Sequence, residues 1–247
     1  MQLTPVSALC SVADSKYVAV SSSKTVIIYK RNVSDRGEWA NLGQIYSSFE
    51  IKSMESIGST VYIIGEVDVM IIKVTVETDN GQLSIETLKS LQLPEKMCGF
   101  KIGTSKLFLL LENSVIILSL FGVEHQRSFS HESKFVDMTV KEDDQTVIFL
   151  LEDSGKVYSL ELQSVSTVQT GELQCVGNFQ DASAVLLFAP VDSYSLLVGY
   201  KDSVCSQLQL RRENDRFECI DISKVEVRKS LNTLGLKFFL VLSALLY

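Results

Sequence analysis

Histidine occurs only twice in these 247 residues, at His125 and His131, and tryptophan only once, at Trp39. The two histidines stand in VEHQRSFSH, and on a strand they would share a face. No cysteine or carboxylate at ligand spacing completes a metal set around them, and His131-Glu132 is not followed by the second histidine of HExxH. Neither GxGxxG nor GxxxxGK is present, so no phosphate-cradling loop can be placed. The expectation is therefore no metal, no cofactor and no assignable catalytic residue. A Cys–His pair assembled in space is the one nucleophilic arrangement left open.

The five cysteines, Cys10, Cys98, Cys175, Cys205 and Cys219, are odd in number, widely spaced and without a CxxC. They read as reduced, mostly buried thiols of a cytoplasmic or nuclear protein. The opening MQLTPVSALCSV lacks a basic n-region, so no secretory signal is expected and the triplet Asn32-Val33-Ser34 reads as chance. Lys and Arg number 23 against 30 Asp and Glu, a net charge of −7 and a pI near 5.0. That disfavours a general electrostatic hold on nucleic acid; a local basic patch stays open, but Lys30-Arg31 and Arg211-Arg212 are only short pairs and read as solvated turn charges. The apolar run 238–247 is half of the roughly 20 residues that span a bilayer, so no membrane partner is expected. The three prolines, Pro5, Pro94 and Pro190, all fall near run boundaries, and long helical periodicity is nearly absent before residue 224.

What the chain has is pairs of apolar runs. In SKYVAVSSSKTVIIYKR, residues 15–31, two such runs are separated by a Ser-rich turn, and neither alternates. The pattern recurs at 61–64 and 69–76, 107–111 and 115–120, 146–151 and 156–162, and 196–200 and 204–210. The second residues of the first runs, Val18, Tyr62, Phe108, Val147 and Leu197, are 44, 46, 39 and 50 residues apart. Each pair is joined by turn residues: Ser21-Ser22-Ser23, Gly65-Glu66, Glu112-Asn113, Asp153-Ser154-Gly155 and Lys201-Asp202. A strand covered on both faces reads as a continuous Val/Ile/Leu run, and an outer strand should alternate. Asp79-Asn80-Gly81 followed by QLSIETL fits an outer strand, and 216–222 fits one until its alternation slips. Inner strands are expected at 7–12, 51–56, 97–102, 135–140 and 184–188. Val147, Ile148 and Phe149 are expected to be buried.

These five units, near 5–46, 49–93, 96–131, 134–178 and 182–223, make an all-β, β-propeller-like chain of about five four-stranded blades. A tail follows at 224–247. The chain resembles the WD40-like β-propeller class, without that family's Gly-His and Trp-Asp signatures. Most such rings have seven blades, so five units leave open a five-bladed ring, a fragment of a larger ring, or a miscount of the units. Residues 136–162, VDMTVKEDDQTVIFLLEDSGKVYSLEL with Gly155-Lys156-Val157-Tyr158-Ser159, also resemble a blade of the non-catalytic WD40 subunit of the tRNA guanine-N7 methyltransferase. That resemblance implies a subunit that stabilises a catalytic partner and meets tRNA only through it.

The leading expectation is a non-enzymatic protein-interaction scaffold in an intracellular complex, with function carried by blade-end loops. The rival is an enzymatic or ligand-binding propeller with its site at the channel mouth. Glu142-Asp143-Asp144 is the most concentrated charge and the candidate contact for a basic partner. With Glu152-Asp153 it reads as turn acids in solvent. The tail is open to three readings: a closing element, a cut or replaced terminus, or a membrane anchor. The first predicts Phe239, Val241 and Leu245 buried against residues 5–30.

Overall fold

The computed structural model describes residues 6–13, 16–31, 39–76, 83–119, 127–142, 146–162, 173–188, 194–200, 204–213 and 216–226. These form twenty strands in five four-stranded antiparallel sheets, with no helix among the described residues. The chain divides into two compact units, 1–97 and 98–247. The first unit holds β1 (Ala8–Val12), β2 (Tyr17–Ser22), β3 (Thr25–Arg31) and β4 (Trp39–Tyr46), then β5 (Ser53–Ile57), β6 (Thr60–Ile64), β7 (Asp68–Val76) and β8 (Leu83–Gln92). The third sheet comprises β9 (Met97–Ile102), β10 (Lys106–Leu111), β11 (Ser114–Ser119) and β12 (Arg127–Ser130). The fourth has β13 (Phe135–Glu142), β14 (Thr146–Glu152), β15 (Lys156–Leu162) and β16 (Gln174–Asn178). The fifth has β17 (Ala182–Phe188), β18 (Tyr194–Tyr200), β19 (Val204–Glu213) and β20 (Arg216–Glu226). In every sheet sequence order is spatial order, as a chain of hairpins dictates. The strand β20 runs on to Glu226, into the segment read as tail, and residues 227–247 lie outside the described residues.

Unbroken apolar runs become strands with no solvent face. All seven positions of β14 are buried, Val147, Ile148 and Phe149 completely, and Leu107 to Leu111 of β10 are equally enclosed. Each such side chain stabilises the fold by roughly 1.5–3 kcal/mol. Phe149 packs edge-on against Phe217 with ring centroids 5.3 Å apart, and Phe217 packs likewise against Tyr194 at 4.8 Å. The first sheet differs. In β2 and β3, Ala19, Ser21, Val26 and Ile28 are buried, whereas their alternates Val18, Val20, Ile27 and Tyr29 are only half-buried. The run 15–31 is apolar on both faces, yet only one face is fully covered.

The slip in outer-strand alternation has a physical cause. In β20, Gln209 pairs Asp221 and Leu210 pairs Cys219, which leaves Ile220 as an inserted residue. The same bulge inserts Leu42 in β4, Leu88 in β8 and Val176 in β16. These positions recur at about 44 residues or twice that, within the range expected of blade repeats. A bulge bends and twists an outer strand, which blunts a free edge against unwanted pairing.

Cysteine burial departs from expectation. Cys10 and Cys205 are buried and Cys219 is half-buried, but Cys98 on β9 and Cys175 on outer strand β16 are exposed, and none of the five is in a disulfide. Burial pushes the Cys10 thiol up to about 11, against a smaller lowering by Ser56.

Candidate protein-interaction surface

In a four-stranded hairpin chain, the turn between the second and third strands lies at the same end as the connection leaving the fourth. This end is stitched by a repeated pair of backbone hydrogen bonds. The amide of Ser47 donates to the Lys24 carbonyl at 2.7 Å and that of Ile51 to Ser23 at 2.8 Å. One repeat on, Leu93 donates to Val67 at 2.7 Å and Met97 to Glu66 at 2.8 Å. In the second unit, His131 donates to Asn113 at 2.8 Å and Phe135 to Glu112 at 2.7 Å. In each case two donors four residues apart reach two consecutive carbonyls. The fourth sheet keeps one member, Phe179 to Gly155 at 2.7 Å. Gly155 has φ of +90°, and a Cβ there would overlap the Phe179 carbonyl, so only glycine fits.

Side chains repeat as well. The Glu66 carboxylate meets Lys96 Nζ at 2.7 Å, and Glu112 meets Lys134 Nζ at 3.0 Å. Each lysine directly precedes the residue whose amide the glutamate's own carbonyl holds. In the first sheet the equivalent contact is the Ser23 hydroxyl donating to Glu50 at 3.4 Å, with Lys52 4.0 Å from the same carboxyl group. The Lys96 hydrogen bond and charge lower the Glu66 pKa, and the Glu112 hydrogen bond and charge raise that of Lys134. All of these charged side chains remain largely in solvent, so the ion pairs add little stability. Within each unit they place charges on a stiff backbone.

His131 belongs to this end. Its Nδ1 accepts the Ser133 amide at 3.2 Å, and its ring packs 5.5 Å from Phe135 and 5.2 Å from Tyr158. His125 lies outside the described residues. The reading of Glu152-Asp153 as solvated turn acids needs correction, because Asp153 is exposed but Glu152 is buried. Burial pushes the Glu152 carboxyl up, but hydrogen bonds from Ser133 and Ser154, with the charges of Lys156 and His131, hold it below the usual range. The Ser154 hydroxyl donates at 2.5 Å.

Glu142, the described member of the acidic triplet, lies at the opposite end of its sheet. Glu142 closes β13 with its side chain 7% exposed, facing Lys106 Nζ at 3.1 Å. It also accepts the Ser105 amide at 3.2 Å and the Ser105 hydroxyl. Burial opposes ionisation, yet these partners keep its pKa lowered. A Cβ on Gly103 would overlap this carboxylate, so glycine admits it. Glu142 is therefore engaged by the β9–β10 turn, while Asp143 and Asp144 lie outside the described residues. The sequence reading missed Asp137 and Thr139 on the inner strand β13, whose side chains accept the amides of Val185 and Leu187 on β17 at 3.0 and 3.1 Å. Their signal was polar residues two apart, VDMTV, in a strand expected to be apolar.

Among the described residues, no group of three or more His, Cys, Asp or Glu is placed to hold a metal, and no helix is long and apolar enough to cross a membrane. No protein-family model matches the sequence, and no curated protein matches it. Solved structures do. The WD40 domain of SCAP from fission yeast superposes with a TM-score of 0.61 at 14% identity, over 90% of this chain and 62% of that one. Hsv2 of Kluyveromyces lactis superposes with a TM-score of 0.57 at 12% identity, over 90% of this chain and 65% of that one. A second Hsv2 structure, with loop 6CD complete, gives 0.55 at 11%, over 88% and 62%. The fold is that of a WD40-type β-propeller. The chain spans less than two thirds of each of these structures. The resemblance of residues 136–162 to the tRNA methyltransferase subunit rests on those residues alone.

Proposed function

We propose that this protein is a non-catalytic interaction module, a WD40-type scaffold in a multiprotein complex of the cytoplasm or nucleus, and that partners dock on its clamped loops. The observation that carries the reading is the repeated clamp, which holds Glu50, Glu66 and Lys96 in the first unit, and Glu112 and Lys134 in the second, each on rigid local backbone. Binding surfaces of this kind are loops positioned by a rigid scaffold, and fixing them beforehand lowers the entropy cost of association. WD40 propellers commonly serve as protein-interaction platforms, which supports a protein partner. The net charge of −7 supports protein over nucleic acid. The one described histidine is occupied in packing and a backbone hydrogen bond.

The test is quantitative affinity purification of the tagged chain from cells. Wild type is compared with a variant carrying Lys52→Glu, Lys96→Glu and Lys134→Glu. The expected result is a stoichiometric partner set lost from the variant while circular dichroism and melting are unchanged. Full retention of every partner would reject the loop end as the docking surface. Turnover of a small molecule by the purified chain would reject the non-catalytic reading.

A further inference from the structure

Within the second unit, the ring of His131 pins the connection from β12 to β13. The His131 amide donates to Asn113 at 2.8 Å, and that of Phe135 donates to Glu112 at 2.7 Å. Between these anchors the Ser133 amide donates to His131 Nδ1 at 3.2 Å, and the Lys134 carbonyl accepts the Asp153 amide at 2.9 Å. The ring is half-buried against Phe135 and Tyr158. An amide N–H can only donate, so Nδ1 carries a lone pair and the ring proton sits on Nε2. An imidazolium has no lone pair to offer. Protonation of Nδ1 therefore ends the Ser133 bond and turns that nitrogen into a donor.

The surroundings supply an acceptor for it. The buried Glu152 carboxylate, on β14, takes hydrogen bonds from Ser133 and Ser154 and feels the charge of His131. Glu132 in the connection, Glu112 after β10 and Asp153 after β14 add three carboxylates, against the ammonium groups of Lys134 and Lys156. The other titratable groups on the adjoining strands are Tyr158, Cys175 beside it, and Cys98 near Lys134. Carboxylates thus outnumber cations around the ring. We propose that His131 is a proton-operated latch: once charged, it gives up the Ser133 amide for the Glu152 carboxylate, and the connection carrying Lys134 loosens. The effect on a partner rests on docking by the clamped loops, because a loosened loop must be ordered again on binding. The latch itself does not rest on that reading.

His125→Gln leaves His131 as the chain's only imidazole, so isotope-labelled histidine reports one ring. Long-range proton–nitrogen spectra at pH 8 should show the Nε2–H tautomer. As pH falls to about 5, across the window in which histidine changes charge, the Ser133 amide resonance should move with the ring's own midpoint. Amide exchange at 131–135, corrected for its intrinsic pH dependence, should rise about tenfold. Neither should change in His131→Gln, which keeps a side-chain acceptor and does not titrate. An Nδ1–H tautomer at pH 8, a Ser133 amide indifferent to the ring, or equal changes in His131→Gln would overturn the proposal. Binding to a purified partner separates the two readings. The wild-type Kd should weaken at least fivefold from pH 7.5 to 5.5, and that of His131→Gln less than twofold. Equal weakening would overturn the latch's control of docking. Partners retained by the triple lysine variant would reject the docking reading, and the spectra would still decide the latch.

Discussion

The Asp137 carboxylate accepts the Val185 amide at 3.0 Å, joining inner strand β13 to inner strand β17. Two residues on, Thr139 Oγ1 accepts the Leu187 amide at 3.1 Å. In an antiparallel hairpin, alternate amides of an edge strand point away from its partner and need another acceptor. Here the neighbouring sheet supplies it through side chains. A bulge at Val136 accompanies the arrangement, since Phe135 pairs Glu152 while Asp137 pairs Leu151. Asp137→Ala should cost about 1–3 kcal/mol by leaving a buried amide unpaired. Thr139→Val should cost about 1 kcal/mol. Urea titration measures both, and losses below about 0.3 kcal/mol for both would show that solvent replaces these acceptors.

Phe149 is fully buried and meets Phe217 edge-on. Phe149→Ala should destabilise by roughly 3–5 kcal/mol. A loss under about 1 kcal/mol in denaturant titration would contradict a strand without a solvent face.

Gly155 is held at φ +90° against the Phe179 carbonyl. Gly155→Ala should cost about 1–3 kcal/mol from backbone strain alone, with further loss from the overlap. Thermal melting checks this, and an unchanged melting temperature would show that the turn relaxes freely.

Glu142 and Glu152 are held below the ordinary glutamate pKa of 4.5 in the folded protein. Their contribution to stability is therefore present above 4.5 and is lost as pH falls through the lower folded values. Melting temperature should fall steeply below pH 4.5. Glu142→Gln should flatten that fall, at the cost of lower stability at pH 7. Identical pH profiles for wild type and variant would show that Glu142 is not coupled to folding.

The strand pairs were legible because burial on both faces writes itself as unbroken apolar runs, as in 146–151. Outer strands were less so. A single inserted residue, Leu88 or Ile220, shifts the period of two by one, and no local composition announces it. Acid burial was illegible for a different reason. Glu142 and Glu152 look like turn acids in sequence, but their partners Ser105, Lys106 and Ser133 come from other turns. Of the clamped loops, the turns were visible. The pairing of Glu66 with Lys96 and of Glu112 with Lys134, across a whole hairpin, was not.

The central claim is that the clamped loops bind a protein partner. The most direct measurement is the Kd of the purified chain for the partner recovered from cells, with wild type and the variant Lys52→Glu, Lys96→Glu, Lys134→Glu side by side. The account predicts at least a tenfold weaker Kd for the variant, about 1.4 kcal/mol, with an unchanged melting temperature. An equal Kd for the two proteins would contradict it.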